Sequence, residues 1–122
     1  MKIIVVEDDR LVRKLTVTAL TYCVNREVVS FCDGRKAWEY IQKGNAVDIV
    51  LSDVDMPDMN GLDLMAKVKK KYPQIIFIIM SGVSDYQKQS LQAGADAFLA
   101  KPFEINDLFD IVQHFVVEQA QV

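Results

Sequence analysis

Apolar positions in this chain come in short, dense blocks separated by longer amphipathic stretches. Four compact runs, at residues 3–6, 48–51, 75–80 and 97–100, and a weaker fifth at 27–31, are mostly β-branched or aromatic and are bounded by polar residues or glycine. Blocks of this length without polar alternation predict strands covered on both faces, not strands with one wet face.

Between the blocks the spacing turns helical. Residues 10–22 carry Leu11, Leu15, Ala19 and Tyr22 at helical intervals, and residues 35–43 carry Ala37, Tyr40 and Ile41, with Asp33 before them and Gly44 after. Residues 61–71 place Leu64, Met65 and Val68 together, with Asn60 available as a cap and Pro73 preventing continuation. Residues 85–93 open on Ser84-Asp85-Tyr86-Gln87, the pattern of a capping box, and Gly94 can end them. That helix is polar, with Tyr86, Leu91 and Ala93 as its few anchors, which marks it as a candidate mobile element. Residues 104–117 align Ile105, Leu108, Phe109, Val112, Phe115 and Val116 on one face.

Strand and helix thus alternate five times. This predicts an α/β fold: a doubly wound (βα)5 parallel sheet with helices on both faces. Right-handed crossovers leave few topologies, and the flavodoxin-like strand order 2-1-3-4-5 leads for five strands.

Composition narrows the function. The 122 residues suffice for one domain, 1–122, with a real core. A net charge of −3 lacks the electrostatic footprint of a nucleic-acid binder. No apolar run approaches membrane-spanning length, and the first is too short for a signal peptide, so a cytoplasmic protein that does not engage membranes is expected. Cys23 and Cys32 have no metal-like or redox-like spacing and read as reduced structural thiols. Lys67, Lys69, Lys70 and Lys71 fall in the last turns of a predicted helix, where cations suit the dipole; they read as a solvated helix end. His114, the only histidine, reads as a surface residue, and Trp38 as packing or partly exposed.

The acids carry the chemistry. Glu7 and Asp8 fall just past the first predicted strand and Asp53 just past the third. In the order 2-1-3-4-5 these strands are neighbours, and the crevice between their carboxyl ends is the topological switch point where ligands bind. Asp55 lies nearby; Ser81 and Lys101 follow the fourth and fifth strands on the same edge. Converging carboxylates force one of them to hold its proton unless a cation neutralises them. An oxygen-only cluster suits a hard cation such as Mg²⁺. Lys101 can pair with a phosphoryl group as a point charge, and Ser81 offers it a hydroxyl donor. Taken singly, Glu7-Asp8-Asp9 is also what a helix N-terminus favours, and Asp53-Val54-Asp55 what a turn favours. Asp9 keeps that role as a cap. Neither account explains why all these groups share one sheet edge.

Four segments, in order and correctly spaced, resemble the receiver family of two-component response regulators. They are Ile3-Ile4-Val5-Val6-Glu7-Asp8-Asp9, the loop from Leu51 through Asp53 to Gly61, Met80-Ser81-Gly82, and Gly94 through Phe98 to Lys101-Pro102-Phe103. The resemblance covers roughly residues 2–117. It implies that Asp53 is the phosphoacceptor and that Mg²⁺ is held by Glu7, Asp8, Asp53 and the backbone carbonyl of Asp55, with Asp8 the stronger candidate for direct ligation. It further implies that Lys101 and Ser81 serve the phosphoryl group and that Ser81 and Phe98 form the switch. Ser81 stands where many relatives have Thr, and Phe98 where many have Tyr, so an inward Phe98 rests on apolar burial alone.

The implied function is a phosphorylation-operated switch, not an enzyme beyond its own autocatalytic phosphotransfer and dephosphorylation. The implied partners are a histidine kinase or histidine phosphotransfer protein and a downstream effector, with room for a homodimer through the fourth helix, fifth strand and fifth helix. Three other classes compete. A haloacid-dehalogenase-type phosphatase shares Asp-x-Asp, but it carries the motif on the strand that opens the sheet and has Thr or Val where this chain has Pro57. A flavodoxin needs a phosphate loop where this chain has Glu7-Asp8-Asp9, which repels phosphate. A phosphorylation-independent binding module would not need every site residue.

Overall fold

The computed structural model describes residues 2–120, with side chains as far as residue 117. Five strands, β1 (Lys2–Val6), β2 (Glu27–Phe31), β3 (Ile49–Asp53), β4 (Ile76–Ser81) and β5 (Ala97–Ala100), alternate with five helices. These are α1 (Arg10–Val24), α2 (Gly34–Gln42), α3 (Gly61–Lys71), α4 (Asp85–Gln92) and α5 (Ile105–Ala120). All strand pairs are parallel and the order is β2-β1-β3-β4-β5, the flavodoxin-like order expected.

The unbroken apolar runs follow from this arrangement. Successive side chains of a strand point to opposite faces, and both faces are covered. Ile3 and Val5 join Leu51, Met80, Leu20 and Val112 on the α1/α5 side. Ile4 and Val6 join Val50, Ile79, Ile41 and Leu64 on the α2/α3 side. A polar residue on either face of β1 would have no solvent to meet.

Helix starts follow local chemistry. Asp9, Asp33 and Asn60 sit in extended conformation and accept from the N–H of Val12, Lys36 and Asp63, as N-caps do. Ser84 breaks the expectation. Its backbone is already helical (φ −60°, ψ −30°), so its hydroxyl makes no capping bond, and only its carbonyl is used, by the Gln87 N–H at 3.1 Å. Gly94, at φ 115°, ends the α4 region as expected.

Two helix faces also differ from expectation. On α1 the stripe Leu11, Leu15 and Tyr22 lies outward, exposed by 65%, 61% and 88%, while Thr16, Leu20 and Val24 are buried. On α4, Leu91 is exposed, as is Ala93 at its C-cap, Tyr86 is half-buried, and Ser90 is the buried residue. Ser90 fits there because its hydroxyl donates to Gln87 O at 3.1 Å.

Cys23 is exposed and Cys32 half-buried, both as free thiols. Lys69 is not simply solvated. Its Nζ donates to Ile75 O and to Asp96 Oδ2, both at 2.7 Å, tying α3 to the amino-terminal edge of the sheet. Lys67, Lys70 and Lys71 are exposed, as is His114; Trp38 is half-buried. Among the described residues no helix is long and apolar enough to cross a membrane.

Candidate functional site

The carboxyl edge of the sheet gathers the chemistry. β1 ends at Val6, which pairs with Ser52 of β3, so Glu7 and Asp8 leave the sheet beside Asp53. Asp53 is the last residue of β3 and not the first beyond it, and Ser81 likewise closes β4. Both gain a residue of strand because parallel pairing continues to Asp53↔Met80 and Ser81↔Ala100.

One carboxylate oxygen from each of Glu7, Asp8 and Asp53 lies within 4.8 Å of the others. Glu7 and Asp53 are buried and Asp8 is exposed. Lys101 reaches in from the end of β5. Its Nζ is 3.3 Å from Asp53 Oδ2 and is hydrogen-bonded to Glu7 Oε1. The other Glu7 oxygen accepts from the Asp9 N–H at 3.2 Å. Both routes expected for crowded carboxylates are therefore in use: a cation sits among them, and Glu7 is pushed up to about 7. Burial is the main cause of that rise and the Asp53 charge adds to it, against the hydrogen bond from Lys101. Burial works against the Lys101 charge, but the Glu7 hydrogen bond and the charges of Asp53 and Glu7 outweigh it, and the ammonium pKa is raised.

The backbone around Asp53 is held tightly. Its Oδ1 accepts from the Val54 N–H at 2.9 Å, Ser52 Oγ donates to its carbonyl at 2.9 Å, and the Gly61 N–H donates to Val54 O at 2.9 Å. Gly61 packs so closely that a Cβ there would lie 2.1 Å from Asp53 O. Asp55 lies exposed in the loop that follows. Ser81 is buried, and its Oγ accepts from the Val83 N–H at 3.0 Å, leaving its own hydrogen available. Phe98 pairs with Ile79 in the β4–β5 register and is half-buried against the α2/α3-side core.

The sequence did not disclose two contacts here. One is the Lys101–Glu7 pair. The other is Arg13, whose Nη1 donates to Glu7 O at 2.8 Å; a cation one helical turn past an acid pair was the available signal.

The profile of the response regulator receiver domain matches residues 3–113. The chain belongs to this family. This receiver is 34% identical over 107 residues to a chemotaxis protein CheY homolog of Campylobacter jejuni, covering 84% of this chain and 82% of that one. It is 33% identical over 113 residues to the DNA-binding transcriptional regulator NtrC of Azospirillum brasilense, covering 91% of this chain but only 23% of NtrC. A CheY-like receiver domain protein from Methanospirillum hungatei superposes with a TM-score of 0.88 at 28% identity, over 98% of this receiver and 96% of that chain. As a response regulator receiver domain the chain is a component of two-component systems, and its acid cluster fits the divalent-metal site typical of such domains.

Proposed function

We propose that this receiver is a Mg²⁺-dependent phosphoacceptor switch with Asp53 as acceptor. The observation that carries the reading is the convergence of Glu7, Asp8 and Asp53 oxygens within 4.8 Å, beside the Lys101 ammonium. The donor set is all oxygen, which suits Mg²⁺ and not a soft metal. Glu7, Asp8, Asp53 and the Asp55 carbonyl would hold it. Bound Mg²⁺ supplies positive charge that offsets the acids and the equatorial oxygens of a transferring phosphoryl group.

The donor is a phosphohistidine on a histidine kinase or phosphotransfer protein. An Asp53 carboxylate oxygen attacks phosphorus in line. The P–N bond breaks with its electron pair staying on the imidazole, and an acyl phosphate forms. Lys101, already 3.3 Å from Asp53 Oδ2, pairs with the new group. Ser81 donates its hydroxyl to a phosphoryl oxygen. Phe98 follows inward, and the surface formed by α4, β5 and α5 changes for a downstream effector or a second copy. The shift is one of populations, since a ligand moves an equilibrium only by its differential affinity. Water attack on the acyl phosphate resets Asp53 and releases inorganic phosphate.

The test is exposure to acetyl phosphate with and without Mg²⁺, followed by intact mass measurement beside Asp53→Asn. One hydroxylamine-sensitive phosphoryl group, dependent on Mg²⁺ and absent from the variant, is expected. Modification of Asp53→Asn at the wild-type rate would overturn the assignment. Failure of the wild type to take either phosphoryl or beryllofluoride would leave a phosphorylation-independent binding module.

A further inference from the structure

Glu7 stands where β1 leaves the sheet. Its N–H still belongs to the sheet, donating to Phe31 O at 3.1 Å. Its carbonyl is taken by a side chain, the half-buried Arg13, at 2.8 Å. That carbonyl belongs to the peptide unit joining Glu7 to Asp8, two of the three clustered acids. Its plane sets ψ of Glu7 and φ of Asp8, and so the directions in which the two carboxylates leave the chain. Arg13 itself is fixed by α1, where its N–H donates to Asp9 O at 2.9 Å. A rigid helix thus reaches back and clamps the link between two acids.

We infer that Arg13 is a positioning residue for the metal site: by holding the Glu7–Asp8 peptide it sets the approach of both carboxylates to Asp53. The inference rests on the metal reading above. It carries a sign that separates it from plain electrostatics. A guanidinium close to a cation site repels the cation through space, so charge alone predicts tighter Mg²⁺ binding once Arg13 is removed. Positioning predicts weaker binding, because loss of an outer partner that orients ligands commonly lowers metal affinity roughly tenfold or more.

The experiment is calorimetric Mg²⁺ titration of the unphosphorylated chain, with thermal unfolding recorded without Mg²⁺ to establish that each variant is folded. Arg13→Met keeps an unbranched, helix-compatible stem and removes the donor; about a tenfold loss of affinity is expected. Arg13→Lys restores one donor and should recover part of the loss. Lys14→Met, which removes the same charge from the exposed neighbouring position, should leave affinity unchanged or slightly raised. If Arg13→Met does not fold, Arg13→Gln, too short for the carbonyl, takes its place with the same expectation. Wild-type or tighter affinity in the folded Arg13 variant would overturn the inference. Absence of Mg²⁺ binding by the wild-type chain would instead overturn the metal reading, and this inference with it.

Discussion

Lys101 Nζ lies 3.3 Å from Asp53 Oδ2 while hydrogen-bonded to Glu7 Oε1, so one ammonium bridges the strand ends of β1 and β3 from the end of β5. The cation a carboxylate cluster needs is thus partly built in. A divalent ion entering this crevice meets acids already sharing a positive charge.

Lys101→Met should therefore tighten Mg²⁺ binding. Roughly tenfold, or about 1.4 kcal/mol, is a conservative figure, since a double and a unit charge a few ångströms apart repel by about 2 kcal/mol even at the dielectric of water. Mg²⁺ titration of the unphosphorylated variant checks the sign; weaker binding would show that Lys101 shapes the site more than it competes for it.

Protonation should oppose the metal as well. Glu7 is raised to about 7 in the folded chain, from an ordinary value of 4.5. Between those values the folded state holds a proton that the unfolded state has lost, so stability from this group falls as pH rises through that window. Relative to Glu7→Gln, whose side chain stays neutral, the metal-free wild type should lose melting temperature as pH rises from 4.5 to about 7, and the deficit should level off at its largest above that window. Mg²⁺ affinity should rise from pH 6 to pH 8 as Glu7 gives up its proton. Thermal melts and metal titrations across that range measure both.

Two glycines flank the site with opposite tolerances. A Cβ on Gly61 would lie 2.1 Å from the backbone oxygen of Asp53, whereas one on Gly82 finds nothing nearer than 3.7 Å. Gly61→Ala is expected to cost about 3 kcal/mol and to impair phosphoryl uptake by displacing Asp53. Gly82→Ala should change stability by less than about 0.5 kcal/mol, as at other unconstrained surface sites. Denaturant unfolding distinguishes them.

The caps differ in the same testable way. Asp9→Ala removes a bond to the Val12 N–H and should cost about 1 kcal/mol. Ser84→Ala removes no capping bond and should cost less than about 0.5 kcal/mol. Equal losses in denaturant unfolding would mean that the Ser84 hydroxyl has a role absent from its hydrogen-bond geometry.

What could be read ahead of the structure follows from how each signal is encoded. The strands were legible because burial on both faces leaves no polar position in the runs from Ile3 to Val6 and from Ile49 to Leu51. Strand order then placed Glu7, Asp8 and Asp53 together without any contact information. The α1 face was not legible, because two apolar stripes overlap along that helix. Leu11, Leu15 and Tyr22 form one and Leu20 and Val24 the other, and periodicity does not say which meets the sheet. Thr16 obscured the choice: it counts as polar, yet its hydroxyl donates to Val12 O at 2.7 Å and is buried without loss. The Ser84 motif failed because capping requires an extended backbone at the cap, which the motif does not determine. The Lys101–Glu7 contact spans 94 residues, and nothing local encodes it.

That separation has a further consequence. The groups that meet at the carboxyl edge come from residues 7, 53 and 101, at the ends of three parallel strands that no short turn can join. Each pairing closes a long loop, whose entropic cost falls due before the contact is gained. A nascent chain that has made β1 to β4 holds the acids without their ammonium; one that has not paired β1 with β3 holds no cluster. The complete site thus depends on the pairings among β1, β3, β4 and β5, and a fragment lacking any one of those strands lacks part of it.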